Sequence, residues 1–136
     1  MYKTIIVPVD CAQLDKGEKI LRQAATLLDE GGEIIVISVV EDMPGYIAID
    51  LPVDVIEGTV RDARAKLTEL KQKTNIDAKL EIRSGAAARE ILAAAQEHQA
   101  DLIIIASHVP DFSNYLIGAT ADRVVRHAKC SVLVDR

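Results

Sequence analysis

Four stretches of the chain are continuously apolar and rich in β-branched residues: Thr4-Ile5-Ile6-Val7, Ile34-Ile35-Val36-Ile37, Leu102-Ile103-Ile104-Ile105 and Ser131-Val132-Leu133-Val134. A strand that is apolar at every position is covered on both faces, which is the condition of a parallel sheet. A fifth stretch, Ala78-Lys79-Leu80-Glu81-Ile82-Arg83, alternates apolar with charged residues and predicts a half-exposed edge strand. Between these runs the apolar spacing changes to that of helices. Ile20, Leu21, Ala24, Leu27 and Leu28 share one helical face, with Asp15 and Glu18 spaced as a capping box and Gly31-Gly32 placed to end the helix. Ile56, Val60, Ala63, Leu67 and Leu70 mark a second helix, started by Asp54 with Glu57. Ala88, Ile91, Leu92 and Ala95 mark a third, and Ala121, Val124, Val125 and Ala128 a fourth.

Strict β-α-β-α-β-α-β-α-β alternation predicts right-handed crossovers and a doubly wound α/β fold. Its length of 136 residues suits one domain over 1–136. The stretch from Glu41 to Val53, with Pro44, Gly45 and Pro52, is longer than an ordinary connection and marks a candidate functional loop.

Composition narrows the function. There is no Trp and one Phe, so Ile, Val, Leu and Ala must fill the core. The net charge of −5, with no basic run, argues against nucleic-acid binding. No apolar run is long enough to span a bilayer and no signal-peptide pattern opens the chain, so a cytoplasmic location is expected. Cys11 and Cys130 lack metal or redox spacing and read as reduced thiols.

In an open parallel sheet, ligands bind beyond the carboxyl ends of the strands, where strand order reverses. The residues there are Pro8-Val9-Asp10, Val39-Val40-Glu41-Asp42 and Ala106-Ser107-His108, and the following helix opens near Gly118-Ala119-Thr120. That helix start offers free N–H groups and the positive end of a dipole to an anion. The plainer reading makes Gly118 a turn residue and Thr120 a helix cap. Asp10 fits either a metal bridged to phosphates or a bond to local backbone N–H groups. His108 reads as a ligand contact or a surface histidine, and Arg123 as a phosphate contact or a solvated charge. His127 suits the negative end of the last helix, and His98 suggests no role. Cys11, His108 and Asp10 are the nearest approach to a catalytic set, and nothing in their spacing brings them together.

These residues together resemble the universal stress protein family over essentially the whole chain. The resemblance is carried by Met1-Tyr2-Lys3-Thr4-Ile5-Ile6-Val7-Pro8-Val9-Asp10, by Ile105-Ala106-Ser107-His108 and Leu116-Ile117-Gly118, and by Val124-Val125-Arg126-His127-Ala128 with Ser131-Val132-Leu133-Val134. The short loop Ser107-His108-Val109-Pro110-Asp111 is similar to that of the small F/G-type members. The resemblance implies a five-stranded parallel sheet in the order 3-2-1-4-5, akin to adenine-nucleotide α-hydrolases. It also implies a homodimer paired through Ser131, Val132, Leu133 and Val134, with assembly into tetramers left open.

Many members bind ATP through a glycine, two residues, a second glycine, nine residues, and a glycine followed by serine or threonine. Carried over, the resemblance implies ATP or AMP, with Mg²⁺ through Asp10, held by Pro8, Val9, Asp10, Val39, Ala106, Ser107, His108, Val109, Gly118, Ala119, Thr120 and Ala121. Val39 matches a position that packs on adenine. This chain departs from the motif: Ala106 and Val109 stand at the first two glycines, Ala119 at the hydroxyl position, and eight residues separate Val109 from Gly118. A β-branched residue resists positive φ, and a lost hydroxyl removes a charged hydrogen bond of roughly 1.5–3 kcal/mol. Two functions follow: a nucleotide-responsive stress dimer that binds more weakly than full-motif members, or a homodimeric interaction module without nucleotide. At most a slow ATP hydrolysis is expected, with no dedicated catalytic residue.

Overall fold

The computed structural model describes residues 1–41, 53–107 and 117–136. His108 and Val109, most of the Glu41–Val53 stretch, and Pro110, Asp111 and Leu116 lie outside them. Among the described residues nine elements alternate: β1 (Tyr2–Pro8), α1 (Leu14–Leu27), β2 (Leu28–Val40), α2 (Val53–Thr74), β3 (Lys79–Ser84), α3 (Ala87–Glu97), β4 (Leu102–Ala106), α4 (Ala119–His127) and β5 (Ser131–Asp135). The five strands form one parallel sheet in the order β3-β2-β1-β4-β5, as the resemblance implied.

The continuous apolar runs are explained by two cores, one on each face of the sheet. Successive side chains of a strand point to opposite faces. Ile5, Val7, Ile34, Val36, Leu102 and Ile104 meet α1 and α2 through Ile20, Leu21, Leu67 and Leu70. Ile6, Ile35, Ile37, Ile103 and Ile105 meet α3 and α4 through Ile91, Ala94, Ala121 and Val124. β3 pairs only with β2, and its residues are mostly half-buried, as its alternation predicted.

Several boundaries differ from the sequence pattern. Gly31-Gly32 does not end α1. The helix stops at Leu27, Leu28 is already extended, and both glycines lie in β2. Tyr2 pairs with Leu28 and Thr4 with Glu33, so β2 carries a bulge of extra residues there. Gly31 has φ +81°, and a Cβ on Gly32 would sit 2.7 Å from the Lys3 carbonyl oxygen, so the bulge itself accounts for the two glycines. The Asp15–Glu18 capping box is also absent. The N-cap is Gln13, which makes no side-chain cap bond, and Asp15 lies in the first turn. Asp54 lies within α2 rather than ahead of it. Ile56 and Val125 continue their apolar stripes but are 47% and 45% exposed, because the sheet-facing parts of those helices are carried by Ala63, Leu67 and Leu70, and by Ala121 and Val124.

No described helix is long and apolar enough to cross a membrane.

Candidate functional site

A cleft of about 670 Å³ opens at the carboxyl edge of the sheet, where β1 and β4 send their connections to opposite faces. Its base is formed by Pro8, Val9, Ile37, Val39, Ile105 and Ala106. Lys16 and Gly17 of α1 line one wall; Thr59, Asp62, Ala63 and Lys66 of α2 line another. Ala87 of α3 and Thr120 of α4 complete it. The volume falls within the range of small-molecule sites. Gly17 makes the cleft's shape possible: a Cβ there would lie 2.7 Å from Cγ1 of Val9, so α1 approaches β1 as closely as only glycine allows.

Asp10 is exposed in the cleft, and its Oδ1 accepts a hydrogen bond from the Ala12 N–H at 2.8 Å. That is the local backbone role, with the carboxylate's direction fixed by it. Cys11 turns toward β2 and α2. Its Sγ lies 3.4 Å from the buried Ser38 hydroxyl, with either atom able to donate, and also contacts the Ala63 carbonyl oxygen.

Ser107 ties the loop to the rest of the fold. Its hydroxyl accepts from the Gly118 N–H at 3.1 Å, and its N–H donates to the Asp135 carbonyl at 2.8 Å. Lys16 Nζ donates to the Ser107 carbonyl at 3.3 Å. The Asp135 carboxylate in turn accepts from Lys19 and Gln23 of α1.

Gly118 is the N-cap of α4, extended at φ −60°, and among the described residues no side chain caps the helix. Thr120 is therefore inside the first turn rather than the cap, and it lines the cleft, whereas Ala121 turns its side chain into the core. Ala119 lines a neighbouring hollow of about 440 Å³, which shares Glu41, Ala87 and Thr120 with the cleft and adds Arg89 and Arg123. The start of α3, at Ala86, is likewise without a side-chain cap. His108 and Val109 lie outside the described residues.

Sequence reasoning placed Pro8, Val9, Asp10, Val39, Ala106 and Thr120 at one site, and these six share the cleft. It missed Lys16, Ser38, Thr59, Asp62, Lys66 and Ala87. No local pattern marks those on α2 and α3. Lys16 alone carried a signal, as a basic residue in the first turn of a helix that begins beside the switch point.

The sequence model of the universal stress protein family matches residues 1–136. Universal stress protein G of Escherichia coli O157:H7 is 34% identical, with the alignment covering all of both chains. Among solved structures, hypothetical protein MJ0577 superposes with a TM-score of 0.79 at 22% identity, covering 98% of this chain and 95% of that one. A universal stress protein in complex with cAMP superposes with a TM-score of 0.65 at 19% identity, covering 99% and 97%. On its sequence over the full length and its sheet order, the chain belongs to the universal stress protein family.

Proposed function

We propose that this protein is a stress-response dimer in the cytoplasm that binds ATP or AMP in the cleft at the carboxyl edge of the sheet. The carrying observation is the cleft itself: it runs from the apolar Val9 and Val39 to Thr120, in the uncapped first turn of α4. An apolar floor suits a base, and free N–H groups at a helix start suit phosphate. The cAMP complex of a relative supports the ligand class.

Asp10 is the carboxylate suited to phosphate-bound Mg²⁺. Among the described residues no three metal-binding side chains cluster, so the ion would enter with the nucleotide. Among the described residues β5 is an edge strand paired with β4, and an edge strand suits pairing with a second copy. Calorimetry with millimolar ATP and Mg²⁺, joined to nucleotide analysis of the denatured protein's supernatant, tests the reading. Heat of binding or released adenine nucleotide is expected; neither appearing would refute it. Sedimentation should give a dimer.

A second reading, an interaction module without nucleotide, is favoured by Ala106, whose methyl lines the cleft where ATP-binding members have glycine. It predicts that Val109→Gly with Ala119→Ser creates binding in a protein that had none.

A further inference from the structure

Lys16 stands out among the charged groups of the cleft. Its side chain is half-buried on the α1 wall, and its ammonium donates to a neutral acceptor, the Ser107 carbonyl, at 3.3 Å. No carboxylate among the described residues pairs with it, although its neighbours Glu18 and Lys19 in α1 both form ion pairs. An ammonium has three donors, and one neutral bond leaves two uncommitted. The residue it touches also receives the Gly118 N–H, so Lys16 is anchored one residue from the contact that leads into α4. Lys66, the other cation of the cleft, is exposed on α2.

Resting on the nucleotide reading above, we propose that Lys16 is the specificity-determining cation of the cleft, reading the number of phosphates on the ligand. The ammonium brings a positive charge to the cleft beside the start of α4. Its attraction grows with each phosphate charge brought beside it and vanishes for a bare nucleoside, because a partly dehydrated cation interacts with charge far more strongly than with neutral sugar or base. The protein should therefore rank ATP above AMP, and AMP above adenosine.

The test is titration, in Mg²⁺-free buffer so that each phosphate keeps its full charge, of wild type, Lys16→Met and Lys16→Arg with ATP, AMP and adenosine at two salt concentrations, with each variant's unfolding midpoint as a folding control. Lys16→Met should weaken ATP by about tenfold or more, AMP by less and adenosine not at all, and should flatten the salt dependence of ATP binding. Lys16→Arg should keep the ranking. If Lys16→Met weakens all three ligands by one factor, or changes none, Lys16 is only a strut to Ser107 and the inference fails while nucleotide binding stands. If wild type binds none of the three, both readings fall together.

Discussion

The hydroxyl of Ser107 accepts a hydrogen bond from the N–H of Gly118 at 3.1 Å, tying the end of β4 to the start of α4 across a sequence separation of eleven. Ser107 itself is 9% exposed. The bond sets where the helix start lies relative to the end of β4. Ser107→Ala should lower stability by about 1 kcal/mol, and on the proposed nucleotide reading it should weaken ATP binding by loosening the helix start. Denaturant unfolding and calorimetry on the same preparation check the two effects.

Gly17→Ala should destabilise more than a typical helix substitution. The added methyl meets Val9 side-chain carbons at 2.7 and 3.2 Å, within a packed face. Overpacking of this kind costs about 1–3 kcal/mol. Gly58→Ala, in α2 with nothing within 4 Å of the new methyl, should instead stabilise by up to about 1 kcal/mol. Opposite shifts in unfolding midpoint are the expected result.

Arg83 is held by Glu81, Glu90 and Glu97 at 2.9 to 3.2 Å, with its side chain 16% exposed. Arg83 in turn holds the Glu97 carboxyl below its ordinary value, first through its hydrogen bond and then through its charge. Arg83→Met would take the shared cation from Glu81, Glu90 and Glu97, leaving Arg89 beside Glu90 and His98 beside Glu81. The loss should be about 2 kcal/mol at neutral pH. It should shrink as the pH falls and those carboxylates protonate. Unfolding curves at neutral and acidic pH read the difference.

Asp101 fixes the start of β1 by accepting the N–H groups of Lys3 and Thr4 at 2.9 and 3.1 Å. Burial pushes its carboxyl up, but these bonds outweigh it and hold the group below the ordinary 3.8. A depressed carboxyl stabilises the fold fully above its unfolded value and loses that contribution as the pH drops through its folded value. Asp101→Asn should therefore lower stability by about 1 kcal/mol at neutral pH. Wild type and variant should converge in strongly acidic solution, as seen by thermal unfolding across pH.

The strands were legible because burial on both faces leaves a run such as Ile103-Ile104-Ile105 with no polar position. The end of α1 was not legible. Gly31-Gly32 looks like a helix stop in one dimension, and only the facing Lys3 carbonyl shows that the pair serves a bulge. Ile56 lies ahead of the part of α2 that meets the sheet, and Val125 lies one residue round from the buried Val124; periodicity alone cannot see how far a neighbour's cover extends. At the site, strand-end residues such as Val9 and Ala106 followed from topology. Asp62 and Lys66 did not, since they reach the cleft through the packing of α2 over β2 and β3.

The bulge in β2 sits at the amino-terminal rim of the sheet, opposite the rim that carries the cleft. The two rims therefore answer to different demands. Around Gly31, Lys3 and Asp101, the chain can be altered to adjust the durability of the fold with little change in what it recognises. Around Gly17, Lys16 and Ser107, the proposed nucleotide site, the same interventions are expected to change recognition and durability at once. A stabilised version of this protein is best sought at the first rim, and a version with altered ligand preference at the second.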